Sequence, residues 1–188
     1  MGRHKPALEV GGRPIVERVL DAARQHPTVV VGTPESVPAG TVVVRESPAG
    51  GGPVAGIAAG LTALERLTDV GSLEVVGVLA GDLPFVTAAH LEELFDALTR
   101  ADSDTGSEPP GRPDVALAVD AHGQANWLCA AWRADALRRR LEEVGAASGT
   151  SVRRLLHGIR HTPVLDRTGW SVDVDTPADL AAARRRQD

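Results

Sequence analysis

Short runs of β-branched residues alternate with longer stretches of helical periodicity, and this alternation most constrains how the chain can fold. The runs predicted to be strands are Val29–Val31, Val42–Val44, Leu73–Ala80, Val115–Val119 and Trp127–Trp132. They are apolar on both faces, as strands are when helices cover both sides of a sheet. The alternation therefore predicts an α/β fold of three α/β/α layers, doubly wound around a mostly parallel sheet.

The stretches between these strands have the spacing of amphipathic helices. The predicted helices are Ile15–Gln25, Val54–Leu67, Ala88–Thr99, Ala134–Val144, Val152–His157 and Ala178–Arg186. The last has a complete start, because Thr176 can cap it, Pro177 suits the first position and the Asp179 carboxylate favours the positive end of the helix.

Length and composition exclude several classes of protein. The 188 residues suit a single domain spanning 1–188, in which the turn-rich stretch 101–113 is predicted to be a flexible surface loop. A net charge of −5 argues against binding to nucleic acid, and the run Arg184–Arg186 is interpreted as a solvated helix end. No apolar run approaches the ~20 residues of a membrane span. Without a secretory signal, the expected compartment is the cytoplasm.

Residues that directly follow strands are the first candidates for a site, because ligands of doubly wound folds bind beyond the carboxyl ends of the strands. Asp82 lies in the sequence AGDLPF, after the most apolar strand. One carboxylate at such an edge can hold Mg²⁺ when water and phosphate supply the other ligands. The alternative is that Asp82 only caps a turn.

A glycine run provides a second candidate segment. Gly50, Gly51 and Gly52 precede a helix that begins at Pro53. Such a loop can direct backbone N–H groups toward an anion, although its glycine spacing fits neither common nucleotide-binding motif. The alternative is a flexible connection.

Acidic and basic residues elsewhere extend the candidate site. Asp173 and Asp175 are two residues apart, so in an extended segment they share a face and could supply the carboxylate that joins Asp82. Acidic residues also favour the start of a helix, which is the alternative for this pair. Lys5 is the only lysine beside 19 arginines, which suggests a site that needs a compact point charge. Cys129 is predicted to be a buried, unreactive thiol.

Taken together and in order, six segments resemble those of the MobA-like nucleotidyltransferases, the molybdenum cofactor guanylyltransferase family. They are MGRHKPAL at Met1–Leu8, GGRPIVERVL at Gly11–Leu20, GGGPVAGI, AGDLPF, NWLCAAW at Asn126–Trp132, and DVDTPADL. The resemblance covers essentially the whole chain, and it implies a fold of the nucleotide-diphospho-sugar transferase type.

The resemblance also implies a reaction and its residues. The enzyme would transfer GMP from GTP to the phosphate of molybdopterin with Mg²⁺, releasing pyrophosphate. Lys5 matches the lysine that contacts the triphosphate, Asp82 the aspartate that binds Mg²⁺, and Glu46 an acid that contacts the nucleotide, with Gly51 and Gly52 in the nucleotide loop. Asp173 and Asp175 match paired positions near the metal. Proteins that insert molybdenum or mature molybdoenzymes are the implied partners.

The sequence departs from the family at its beginning. Relatives open with an apolar strand and a glycine-rich loop, and Met1 matches the middle of that motif. A chain without this strand would expose two strand edges and part of its core, so we expect weak stability and poor nucleotide binding. Three alternatives stay open: a sister enzyme that uses CTP or another acceptor, a non-catalytic binding protein, and an unrelated doubly wound protein.

Overall fold

The structure is a computed structural model that describes residues 5–32, 37–68, 72–103 and 112–187. Its helices and strands follow the predicted alternation. The strands are β1 Glu9–Val10, β2 Arg13–Pro14, β3 Val29–Val31, β4 Val42–Val44, β5 Val75–Leu79, β6 Val115–Val119, β7 Ala125–Arg133 and β8 His161–Leu165. The helices are α1 Ile15–Ala23, α2 Pro53–Leu67, α3 Ala88–Ser103, α4 Ala134–Val144, α5 Val152–Leu156 and α6 Pro177–Gln187.

Four strands form the main sheet, in the order β5-β7-β6-β8. β6 and β8 are parallel, whereas β7 runs antiparallel to both β5 and β6. β3 and β4 form a separate parallel pair, and β1 and β2 a short hairpin. The sequence pattern does not predict β8, because Pro163 interrupts it. A proline is tolerated there because β8 lies at the sheet edge.

Side chains on the two faces of the main sheet enter two different cores. From β7, Cys129 and Ala131 point into a core with α1, α3 and α6, whereas Ala130 and Trp132 point into one with α2, α4 and α5. This division follows from the two-residue period of a strand. Helices therefore cover both faces, which confirms the three-layer α/β/α fold.

The helix ends show which local patterns were informative. At α6, the Thr176 hydroxyl accepts a bond from the Asp179 N–H (3.2 Å), and the Asp179 carboxylate accepts one from the Thr176 N–H (2.7 Å), as predicted. The predicted end of α3 at Thr99 is wrong, because the helix continues to Ser103. No glycine or proline interrupts it before Gly106. Of the rest of the predicted loop, 104–111 lies outside the described residues.

Two arginines near the end of α6 bind their own chain. Arg184 Nε donates to the Glu9 carbonyl (3.1 Å), and Arg186 Nη1 donates to the Gly169 carbonyl (2.9 Å). The Arg186 guanidinium also lies 3.9 Å from the centre of the Phe85 ring. All three arginines of the run are exposed in the last turn of α6, so the predicted solvated helix end is confirmed, and two of them also bond to backbone carbonyls. No described helix is long and apolar enough to cross a membrane.

An apolar cleft of about 840 Å³ separates β3 from β5, and every residue from Val29 to Gly32 and from Ser72 to Gly81 lines it. Successive side chains of a strand point to opposite faces of the sheet. A cleft that is lined by every consecutive residue of a strand must therefore run along the edge of that strand. Among the described strands, β3 pairs only with β4 and β5 only with β7. Within the described part of the chain, the two sheets thus face each other edge to edge across the cleft.

A buried arginine joins α3 to the main sheet. Arg133 ends β7 and is only 6% exposed. Its Nε donates to the Pro113 carbonyl (2.9 Å) and its Nη2 to the Leu98 carbonyl (2.7 Å). Removing these donors would leave two carbonyl groups without these partners, at a cost of about 1–3 kcal/mol for each unsatisfied group.

We expect Arg133→Met to lower the free energy of unfolding by about 2–4 kcal/mol, because the variant keeps an apolar stem but loses both donors. Urea denaturation at neutral pH measures the change. Arg139→Met is the control: Arg139 is exposed and makes a 3.5 Å ion pair with Asp114, so its loss should cost less than about 1 kcal/mol. Equal effects of the two substitutions would contradict the role given to Arg133.

Candidate active site

The segment after β5 forms one side of the candidate site. The Ala80 N–H donates to the Leu128 carbonyl of β7 (2.7 Å), so the strand exit is fixed against its neighbour. Leu83 is completely buried, which anchors the far side of the segment, and Asp82 between them is half-buried. Asp82 therefore lies on a short, well-anchored turn at the carboxyl end of β5.

The segment before α6 meets this turn directly. The Val174 N–H donates to the Asp82 carbonyl oxygen (3.1 Å), although the two residues are far apart in the chain. Val174 is buried, and its neighbour Asp173 is half-buried. The structure thus brings the Asp82 and Asp173 segments together.

Asp175 has a different setting. It is exposed, and its N–H donates to the Asp179 carboxylate (3.2 Å) at the start of α6. Within the described ranges, no group of three or more His, Cys, Asp or Glu residues is placed to hold a metal ion. The three predicted metal ligands Asp82, Asp173 and Asp175 are therefore not gathered into one cluster. Asp82 and Asp173 stay a predicted pair.

The glycine loop is shaped by hydrogen bonds within its own backbone. Glu46 Oε1 accepts a bond from the Gly50 N–H (3.0 Å), and the Gly51 N–H donates to the Pro48 carbonyl (3.0 Å). Hydrogen bonds from the backbone N–H groups of Glu46 itself and of Gly50 hold the pKa of the Glu46 carboxyl below its usual value. Glu46 is therefore an ionised residue that fixes the turn.

Two glycines in this loop cannot be replaced without strain. A Cβ on Gly51 would lie 2.8 Å from the Ala55 Cβ and 2.9 Å from the Pro48 carbonyl oxygen. Gly52 has φ +87°, a conformation that favours glycine, and the next residue begins α2. The loop thus delivers the chain tightly to a helix N-terminus, where N–H groups suit an anion.

The glycine loop and the Asp82 turn surround one opening. Glu46, Gly52 and Gly81 all line the cleft between β3 and β5. Lys5 begins a short 3-10 turn. The next residue, Pro6, packs against Gly81, since a Cβ added to Gly81 would lie 3.2 Å from the Pro6 side chain. The backbone therefore places Lys5 near Asp82, while the Lys5 side chain lies outside the described part of the structure.

The sequence did not predict two residues, Asp166 and Asn126, whose hydrogen bonds hold the segment before Asp173. Asp166 is 2% exposed, and its carboxylate accepts bonds from the Ser171 N–H and hydroxyl (both 2.8 Å), as well as from the backbone of Thr168 and Gly169. On the other side of Ser171, the Asn126 Nδ2 donates to its carbonyl oxygen (2.7 Å). Two patterns could have revealed them: Asp166 follows a strand, and Asn126 is the only asparagine of the chain.

Comparison with known proteins now identifies the family. The chain matches the MobA-like NTP transferase domain over residues 1–164. It belongs to this family. It is 30% identical over 195 residues to a molybdenum cofactor guanylyltransferase from Rhodobacter capsulatus, covering 99% of this chain and 89% of that protein. The chain is thus a nucleotidyltransferase.

Solved structures support the fold. The molybdopterin-guanine dinucleotide biosynthesis protein A of Archaeoglobus fulgidus matches with a TM-score of 0.70 and 21% identity, over 98% of this chain and 91% of its own. The 2-C-methyl-D-erythritol 4-phosphate cytidylyltransferase of Thermus thermophilus gives 0.66 and 19%, over 97% and 93%. At these identities the likeness establishes the nucleotide-diphospho-sugar transferase fold alone.

Cys129 takes no part in the chemistry of this site. It is completely buried, and burial raises the pKa of its thiol to about 12. We expect the native protein not to react with a thiol reagent such as DTNB at pH 8, because the thiolate is neither formed nor reached. Absorbance at 412 nm should show one equivalent of thiol only after denaturation, and rapid labelling of the native protein would contradict the assignment.

Asp166 should make stability depend on pH. Burial alone would raise its pKa, but the hydrogen bonds from Ser171 and Thr168 outweigh burial, and the pKa lies below its usual value. The stability gained is therefore present above the ordinary aspartate pKa of about 3.9 and is lost as pH falls through the lower folded value. We expect Asp166→Asn to lower the free energy of unfolding by about 2–3 kcal/mol at pH 7, since it loses acceptors for these donors.

Urea denaturation of both proteins between pH 7 and pH 3 measures this dependence. The difference between wild type and variant should narrow toward pH 3, because proton uptake by this carboxyl in the unfolded wild-type chain favours unfolding. A difference that stays constant over the whole range would show that the charge of Asp166 contributes nothing.

Proposed function

We propose that the protein transfers GMP from GTP to the phosphate of molybdopterin, with Mg²⁺, and releases pyrophosphate. Membership of the MobA-like NTP transferase family supports the class of reaction. The choice of base and acceptor is supported by the relative that is named a molybdenum cofactor guanylyltransferase. Proteins that insert molybdenum or mature molybdoenzymes are the partners proposed to act on the product.

The observation that carries the proposal is the hydrogen bond from the Val174 N–H to the Asp82 carbonyl (3.1 Å). It joins the segments of two half-buried carboxylates, Asp82 and Asp173, at an edge that also holds the glycine loop. Anion-binding N–H groups beside a pair of acidic side chains suit a metal-bound phosphate chain.

The donor atoms in this region fit Mg²⁺. Asp82 and Asp173 offer carboxylate oxygens, and the described residues include no cluster of three acidic, histidine or cysteine side chains that could enclose a metal. Mg²⁺ is commonly held by one or two carboxylates, with water and substrate phosphates as its other ligands. When bound, it would neutralise charge on the phosphate oxygens.

The protein's own groups would position the reactants. An oxygen of the acceptor phosphate attacks the α-phosphorus of GTP, a new P–O bond forms, and the bond to the bridging oxygen breaks, so that pyrophosphate leaves. The glycine loop would place the first backbone N–H groups of α2, directly after Gly52, against phosphate oxygens, and the ammonium of Lys5 would offset their charge. In-line transfer of this kind depends mainly on positioning and electrostatic stabilisation.

A transfer assay tests the choice of nucleotide. The protein is incubated with Mg²⁺, molybdopterin, and GTP or CTP labelled at the α-phosphate, and the labelled dinucleotide product is measured. Product from GTP alone supports the proposal, whereas product from CTP identifies a sister enzyme. Binding of GTP without product formation would favour a non-catalytic role.

We expect Asp82→Asn to lower kcat/KM for GTP by about 100-fold or more, because the metal loses a carboxylate ligand; this is about 2.7 kcal/mol of transition-state stabilisation. Asp96→Asn is the matched control, since Asp96 is exposed on α3 and its carboxylate makes a 3.9 Å ion pair with Arg100. It should change kcat/KM less than about threefold. A large loss in the control and a small one in Asp82→Asn would contradict the proposed metal ligand.

A further inference from the structure

The short segment that contains Asp173 is fixed on both sides. At one end, Ser171 is held by Asp166 and by Asn126. At the other end, the Val174 N–H is bound to the Asp82 carbonyl. Asp173 lies between these points, one residue from the second. Its backbone position is therefore set by contacts from three other parts of the chain.

The bonds to Ser171 use all of its polar groups, and we name them the Ser171 anchor. The Asp166 carboxylate accepts from the Ser171 N–H and hydroxyl (2.8 Å each), and the Asn126 Nδ2 donates to the Ser171 carbonyl (2.7 Å). Ser171 is buried, so water does not compete for these groups. A bond to an ionised carboxylate is also stronger than one between neutral groups.

Asn126 connects the anchor to the exit of β5. Its Oδ1 accepts a bond from the Leu128 N–H (3.0 Å), which fixes the orientation of the amide. The carbonyl of the same residue, Leu128, accepts the bond from the Ala80 N–H (2.7 Å), two residues before Asp82. The backbone of Leu128 in β7 therefore bonds both to the Asn126 amide of the Ser171 anchor and to the strand exit that leads to Asp82.

We propose that Asn126 and Asp166 are positioning residues that hold Asp173 beside Asp82 in the geometry that a metal–nucleotide complex requires. The inference rests on the proposed function, in which these two carboxylates bind the metal. Residues that orient metal ligands through hydrogen bonds change metal affinity by about 10- to 100-fold when they are replaced. The anchor contacts Ser171 and not the substrate, so its effect would pass through Asp173.

Asn126→Asp is a sensitive test because it keeps the size of the side chain. The donor that faces the Ser171 carbonyl becomes an acceptor, so this bond is lost and replaced by repulsion. The added negative charge by itself would attract a cation, so a weaker metal affinity cannot come from charge. Gln124→Glu is the matched control, because it adds the same charge two residues away on an exposed turn.

The first measurement is binding of Mn²⁺ in the presence of GTP, followed by the EPR signal of free Mn²⁺. Mn²⁺ prefers the same oxygen ligands as Mg²⁺. We expect Asn126→Asp to raise the dissociation constant by about 10-fold. Gln124→Glu should leave it within about twofold of the wild type. Hydrogen exchange of the Val174 amide, without any ligand, should become faster only in Asn126→Asp.

A double-mutant cycle separates positioning from a general loss of stability. If Asn126 acts through Asp173, adding Asn126→Asp to Asp173→Asn should weaken Mn²⁺ binding no further. If Asn126 only stabilises the fold, the two effects should multiply. Ser171→Ala, which removes one bond of the anchor and keeps its backbone bonds, supplies a milder variant should Asn126→Asp fail to fold. We expect it to weaken Mn²⁺ binding about threefold.

The possible results are distinct. Weaker binding that does not multiply with Asp173→Asn supports the positioning role. Unchanged binding in Asn126→Asp, or fully multiplying effects, would overturn that role while leaving the proposed function intact. A wild-type protein that binds no Mn²⁺ with GTP would overturn the proposed function, and the positioning role with it.

Discussion

The double pairing of β7 is the constraint on which the rest of the structure depends. β7 bonds to β5 on one side and to β6 on the other, so it cannot move without breaking both ladders. Its alternating side chains enter both cores, and Arg133 at its end binds the carbonyls of Leu98 and Pro113. At its start, Asn126 reaches the segment before α6. One strand thus organises the two layers of helices and the support of the candidate site.

The candidate site lies where the segment that leaves β5 meets the segment that leads into α6. Asp82 follows β5, and Asp173 lies in the connection between β8 and α6, just before the capped start of that helix. The backbone bond between Val174 and Asp82 closes the gap between them. Sites supported in this way keep their geometry before a substrate arrives, which suits a reaction that depends on positioning more than on covalent participation by the protein.

The sequence was informative wherever burial controls the pattern. Apolar periodicity located every predicted strand and helix, and the capping residues at Thr176 and Asp179 located the start of α6. The prediction that β4 is buried is wrong, because Val42 and Val43 are exposed. The periodicity missed β8, where Pro163 interrupts the strand pattern, and it did not reveal the antiparallel direction of β7, which is a property of the whole sheet. The strand-end rule found the segment of Asp82, and the two-residue spacing of Asp173 and Asp175 ahead of α6 found the other segment. Neither found Asn126 as a support, because hydrogen bonds between distant segments leave no local pattern.

The cleft between β3 and β5 brings two kinds of binding group together. An unpaired strand edge is a row of N–H and C=O groups that can bond to another chain, and proteins usually protect such edges with charges, prolines or covering elements. Here two edges face the same apolar cleft, whose surroundings include many valine and leucine side chains. Backbone N–H and C=O groups and apolar side chains therefore border one opening, next to the candidate nucleotide site.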